Sequence, residues 1–337
     1  MIRQHRVSYP FDELFINKQL KAGEEVIVQF SEESYNDRVL SHLNELCSRC
    51  DKNFAIRFYG HYSGAFDFNT LLKIANVKSL YVDCLTKAEN VKALEQLQYL
   101  EKLSLGVFEL KETEIFNSPN LKRLSALIIA ETRTKALNLE YLKDYKDLKF
   151  LIIGAHNKNI NAVGELSSLE YLSLNSLKKT IVAFVNKLKK LKTLKFILGG
   201  RENIHEIEEN EIQNLEVVWI RGFNDLSNIS NFRKLKTLLI EDNIQLPGIH
   251  FNKELLYLED LKILNCKTLN SLTGLENLPS LKQLRIYKTD LDFGKLINQN
   301  LPKALKTFAF YTSKQKVDNE IKQILEGKGY TDGLPST

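Results

Sequence analysis

Leu235-Lys236-Thr237-Leu238-Leu239-Ile240 and Leu281-Lys282-Gln283-Leu284-Arg285-Ile286 spell the same pattern, Leu-x-x-Leu-x-Leu, 46 residues apart. The pattern returns at Leu148 to Ile153, Leu169 to Leu174, Leu191 to Phe196 and Leu215 to Ile220. Taking the second apolar position of each unit as a marker gives Ile56, Leu80, Leu103, Leu127, Leu151, Leu172, Leu194, Val218, Leu238, Leu264, Leu284 and Phe308. Successive markers lie 20 to 26 residues apart. Around each marker apolar and polar residues alternate, as in Leu169-Glu-Tyr-Leu-Ser-Leu174. Alternation with a period of two is a short strand with one buried face. The second half of many units has apolar residues three apart, for example Val91, Leu94 and Leu97, or Leu226, Ile229 and Phe232. That spacing predicts a helix or 3₁₀ turn packed behind the strand.

A chain of repeats with a period of about 20–29 residues escapes the size limit of one hydrophobic core, because each repeat packs on its neighbours. The 337 residues therefore read as an α/β solenoid, with a concave parallel sheet of about twelve short strands and a helical or 3₁₀ convex side. These units resemble the leucine-rich repeats of about 22 residues found in bacterial internalin-like proteins and eukaryotic phosphatase regulators. The resemblance covers residues 54 to 313. It implies a horseshoe whose concave face holds a protein ligand, and a bacterial origin. Such repeats commonly place Asn three residues after the last strand Leu, to hydrogen-bond the turning backbone. Here only Asn243 matches, and the other units offer Leu85, Phe108, Thr132, His156, Leu177, Gly199, Phe223, Leu269, Thr289 and Ser313. The groups that those Asn would satisfy must find other partners.

A solenoid needs caps, or its end repeats expose core leucines to water. Residues 1–53 break the repeat and read as an N-terminal cap. Val26 to Phe30 form a strand, Ser31 caps the following helix (with Ser34 and Asp37 as rivals), and Val39, Leu40, Leu43, Leu46 and Cys47 make a helical stripe. Residues 314–337 read as a C-terminal cap helix, with Val317, Ile321, Ile324 and Leu325 as its stripe closed by Gly327, and a frayed tail from 331.

The functional information lies between the leucines. The markers place Ile128, Ile152, Lys195, Trp219, Leu239 and Arg285 on the concave face, with Ile197, Arg221, Lys267 and Tyr287 at the next outward positions. Trp219, the one Trp of the chain, thus shares a face with Arg221 in an apolar centre. Trp and Arg are the residue types that most often dominate binding energy. The C-terminal third reads as basic, with Lys236, Lys262, Lys267, Lys282, Arg285, Lys288 and Lys306 on the face or its rim. The expectation is a non-enzymatic protein-interaction module, a regulator or toxin-neutralising protein, acting as a monomer on a partner with an acidic segment. Nucleic acid on the basic, aromatic face is the rival reading, and a secreted bacterial effector the third.

Other chemistry is weakly signalled. The net charge of +5 argues for neither nucleic acid nor membrane as a partner. No stretch has the length and apolarity of a signal peptide or a membrane span, which points to the cytoplasm, short of secretion by a non-classical route. Cys47-Ser-Arg-Cys50 has no second pair to complete a zinc site, with Cys84 and Cys266 in separate repeats. A redox role for that pair sits badly at the end of a helix. His205-Glu206-Ile-Glu208-Glu209 falls in a convex segment, and Gly60 and Gly199-Gly200 lack the lysine of a phosphate loop. No metal, cofactor or catalytic set is expected.

Overall fold

A computed structural model of the chain describes residues 3–31, 34–61, 63–133 and 136–333. They form two compact units, Met1–Leu169 and Glu170–Thr337. In the first unit seven strands run parallel in chain order: β1 (Gln4–Val7), β2 (Glu25–Ser31), β3 (Phe54–Tyr59), β4 (Ser79–Leu85), β5 (Lys102–Val107), β6 (Ala126–Ile129) and β7 (Phe150–Gly154). In the second, seven more do the same: β8 (Tyr171–Asn175), β9 (Thr193–Ile197), β10 (Asn214–Val218), β11 (Thr237–Glu241), β12 (Asp260–Leu264), β13 (Gln283–Tyr287) and β14 (Thr307–Tyr311). Parallel neighbours require a crossover behind the sheet. Short 3₁₀ helices supply most of it, among them Phe68–Ile74, Val91–Gln96 and Leu139–Asp144 in the first unit, and Ala183–Lys187 and Ser227–Asn231 in the second. The apolar triads Val91, Leu94, Leu97 and Leu226, Ile229, Phe232 are buried between these segments and the strands.

Strand register corrects the repeat frame in two units. Leu194 pairs with Leu215, Leu215 with Leu238, Leu238 with Leu261, and Leu261 with Leu284. The markers are therefore Leu215 and Leu261, three residues before Val218 and Leu264. Leu215, Val217, Leu261 and Ile263 are fully buried, whereas Val218 and Leu264 lie half-buried on the outer face. Two frames compete because the residue five after each true marker, Ile220 or Cys266, is also buried and mimics a core position.

The ends are more built up than their sequence suggests. Strand β1 and helix α1 (Glu13–Lys21) precede β2, so the first unit begins with two strand–helix units. Helix α2 (Asp37–Arg49) starts later than Ser31, because Asn36 caps it by accepting from Val39 N at 3.1 Å. Its stripe from Val39 to Cys47 is buried as expected. In the second unit a short helix, α3 (Phe293–Ile297), follows β13, and α4 (Gln315–Gly327) follows β14. Helix α4 buries Ile321 and Leu325 but leaves Val317 and Ile324 exposed. Buried Asp318 takes the place of an apolar neighbour and accepts from Thr312 N at 2.6 Å and Thr312 Oγ1 at 2.7 Å. The tail is not frayed at Thr331, which pairs with Thr307 and accepts from Phe308 N at 3.0 Å. Residues 334–337 lie outside the described ones.

Candidate functional site: the outer sheet face and its rim

The residue that ends or follows most strands adopts a left-handed conformation, Cys84 doing so just inside the end of β4. Gly60, Cys84, Ala155, Ser176, Leu198, Trp219, Asp242, Asn265 and Lys288 all stand four positions beyond their marker, and the eight that are not glycine have φ between 51° and 60°. An L-residue held there costs about 1–2 kcal/mol. The amide hydrogen bonds formed by turning at that point offset the cost. Ser176 N donates to Ile197 O, Leu198 N to Val218 O, Trp219 N to Glu241 O and Asp242 N to Leu264 O, at 2.8–3.0 Å. The ladder thus runs one residue past these strands and turns the next side chain inward.

That inward residue is the position where the repeat commonly carries Asn. Asn243 is fully buried, accepts from Ile220 N at 3.1 Å, and donates to Val217 O at 2.7 Å and Glu241 O at 2.9 Å. His156 replaces it in the first unit: Nε2 donates to Ala130 O at 2.9 Å and Nδ1 accepts from Leu137 N at 3.1 Å. Both ring nitrogens are satisfied only in the neutral form, and burial pushes the imidazole below its ordinary range. His61 donates through Nδ1 to Tyr59 O at 3.0 Å. Cys266 Sγ donates to Leu264 O at 3.5 Å. At three of the positions that lack the asparagine, two histidines and a thiol, all buried, take its place.

The register shift moves Trp219 and Arg221 off the strand face. Trp219 stands at the rim beside Val218 and is 64% exposed; no part of the described chain covers it. Leu198, 41% exposed, occupies the equivalent rim position of the preceding repeat. Arg221 lies two residues further along the turn, exposed, and does not share a strand face with Trp219. Lys267 likewise lies in the turn after β12, exposed, not at an outward strand position. The outward residues of β10 and β12 are instead Glu216 with Val218 and Lys262 with Leu264.

The remaining expected residues do lie on strand faces, half-buried: Ile128 and Ile152 in the first unit, Lys195, Ile197, Leu239, Arg285 and Tyr287 in the second. Their chemistry differs from a free basic surface. Lys195 Nζ pairs with Glu216 at 2.9 Å and stands 5.5 Å from the centre of the Tyr171 ring. Arg285 donates to Asp260 at 3.2 and 3.3 Å and through Nε to Gly333 O at 2.8 Å, so it clamps the tail. Lys262 pairs with Asp260 and Lys282 with Glu259, each at 3.0 Å. Lys288 Nζ lies 4.8 Å from the centre of the Tyr287 ring. Next to the Trp219 rim, Glu241 has its carboxyl pushed up by burial, then by the nearby Asp242 and Glu216 carboxylates.

The thiols and the His205 run have structural surroundings. Cys47 and Cys50 are buried, and burial pushes the Cys47 thiol up to about 12, away from the reactive thiolate. Arg201 donates to Glu206, while His205 Nε2 lies 3.1 Å from Ser227 Oγ and 3.3 Å from Asp225. Among the described residues no group of three His, Cys, Asp or Glu side chains gathers as a metal site.

No family model matches this sequence, and no curated protein matches it. Solved structures do. The chain is similar to a chain in the structure of the Toll–Spatzle complex of Drosophila, with a TM-score of 0.52 and 11% identity over 92% of this chain and 43% of that one. It is also similar to an internalin of Listeria monocytogenes, with a TM-score of 0.49 and 16% identity over 86% of this chain and 78% of that one. A third is the leucine-rich repeat domain of APL1, with a TM-score of 0.46 and 16% identity over 80% and 74%. At such identities the likeness speaks for the fold. Phased parallel strands, the left-handed residue after most of them and the likeness to a solved repeat structure give this chain the leucine-rich repeat fold.

Proposed function

We propose that this protein is a non-enzymatic binding module for another protein, which it engages as a monomer through the rim of its second unit around Trp219. One observation carries the reading: a tryptophan 64% exposed beside an exposed Leu198, continuous with half-buried Ile197, Val218 and Leu239. Contiguous exposed apolar surface marks contact sites, and removing an anchoring Trp from an interface costs roughly 2–4 kcal/mol. Arg221 and Lys267, exposed and without an ion pair among the described residues, serve an acidic segment of the partner. Arg285 leaves the contact set, since it already holds Asp260 and Gly333. The pairing of Lys195, Lys262, Lys282 and Arg285 with carboxylates weakens the nucleic-acid reading. A cytoplasmic role in a bacterium, as a regulator or toxin-neutralising protein, fits the four free cysteines. Among the described residues no helix is long and apolar enough to cross a membrane.

The test is capture from native cell extract by the wild-type chain and by Trp219→Ala. We expect a protein that the wild type retains and the variant retains at least about tenfold less, with unchanged melting temperature. Equal capture removes Trp219 from the site. Capture that nuclease abolishes favours the nucleic-acid reading.

A further inference from the structure

The outer face of the first unit sinks into a cavity of about 420 Å³. That volume falls in the roughly 300–1,000 Å³ range of small-ligand sites. Ala126, Ile128 and Phe150 give it an apolar wall, while Glu25, Lys102 and Ser104 supply polar groups. Glu25 is only 7% exposed, and both its carboxylate oxygens are engaged. Gln4 Nε2 donates to Oε2 at 2.6 Å and the Tyr81 hydroxyl to Oε1 at 3.3 Å. Lys102 Nζ stands 3.7 Å from Oε1, beyond hydrogen-bond reach, and has no hydrogen bond among the described residues. Its side chain is also the more accessible of the pair, 25% exposed against 9%. Ser104 lies two residues along β5 and shares the face with Lys102. Lys102 Nζ, ion-paired with Glu25 but without a hydrogen bond, is therefore the group most open to a ligand, and the Ser104 hydroxyl lines the cavity beside it, largely buried.

We infer that this cavity binds an apolar carboxylate. Its carboxyl group accepts from Lys102 and Ser104, and its aliphatic or aromatic body lies against Ala126, Ile128 and Phe150. A cationic ligand must displace Lys102 from a Glu25 carboxylate that is buried and already accepts from Gln4 and Tyr81. A neutral acceptor forgoes the stronger charge-assisted bond. Glu25 opposes part of the attraction for an anion, so the apolar body contributes most of the affinity. The site lies wholly within the first unit and does not depend on the Trp219 reading.

The probe is 3-phenylpropionate, titrated into the full chain while the amide NMR signals of Ser104, Ala126 and Ile128 are followed. Saturable shifts are expected, with 3-phenylpropionamide and phenethylamine binding about tenfold more weakly. Lys102→Met keeps the apolar stem and removes the charge, and lowers affinity by about tenfold. Ala126→Trp fills the cavity and abolishes binding; should it fail to fold, Lys102→Met decides. A short peptide ending in Phe, compared with its C-terminal amide, separates the sources. Tighter binding of the free-acid peptide than of the probe identifies a chain end, and weaker binding a small free acid. The inference is overturned by equal or tighter binding of phenethylamine, by full affinity in Lys102→Met, or by no saturable shift at roughly 10 mM, weaker than expected for a ligand of this size.

Discussion

The sheet faces of the two units solve the same problem in opposite ways. In the first unit, polar groups lie low: Glu25 is buried among Gln4, Tyr81 and Lys102, and the face sinks into a cavity. In the second, strand charges cancel in cross-strand pairs such as Lys195 with Glu216 and Arg285 with Asp260, and apolar groups project at the rim as Leu198 and Trp219. A recess favours a small group that enters, and a projecting rim favours a partner that closes over it. The cavity also draws on Gln4 and Glu25 from the strands that precede the repeats, so the difference arises from both the added strands and the side chains.

The turn after the strand is where the comparison is most easily broken. Asn243→Ala leaves Ile220 N buried without its acceptor and takes one donor each from Val217 O and Glu241 O, the latter keeping Trp219 N. We expect a loss of about 3 kcal/mol, read from urea unfolding; a loss below about 1 kcal/mol would show that water replaces the side chain. His156 does the same work in the first unit with a titratable group. Its folded value lies below the ordinary imidazole value of 6.5, so its contribution is complete above that pH and is lost as pH falls through the depressed value. His156→Asn should keep most of the stability near neutral pH, and its unfolding free energy should fall less than that of the wild type between about pH 7 and pH 5. Parallel curves for the two proteins would deny His156 this role. The smallest effect sharpens the rim. Trp219→Gly relieves the left-handed residue and should raise unfolding free energy by about 1 kcal/mol or less, while partner capture falls as in Trp219→Ala. A loss of stability instead would mean that Trp219 packs on its own chain.

Much of this was legible in the residues. The alternation around Leu172, Leu238 and Leu284 gives the strands, and the three-residue spacing of Val91, Leu94 and Leu97 gives the segments behind them. The frame slipped at Val218 and Leu264, where an apolar outward residue and a buried residue after the strand imitate the core pattern. The signal was present in the spacing. Markers at Val218 and Leu264 give intervals of 24, 20, 26 and 20 residues, whereas Leu215 and Leu261 give 21, 23, 23 and 23. The replacement of Asn by His61, His156 and Cys266 is less legible, because a frame marked at Leu264 does not place Cys266 at this position and a histidine does not announce which carbonyl it will meet.

By itself the sequence determined a leucine-rich repeat solenoid, because periodic apolar residues bury themselves only by stacking on the next repeat. It also marked Trp219 as the residue to watch. The tertiary structure alone decided which way that residue stands and which charges remain free. Burial, exposure and ion pairing depend on residues about one repeat away, and no local pattern records them. Trp219 projects because β10 ends at Val218 and the chain turns left-handed there. Lys102 stands 3.7 Å from a Glu25 carboxylate that also accepts from Gln4 and Tyr81, 98 and 21 residues before Lys102 in the chain.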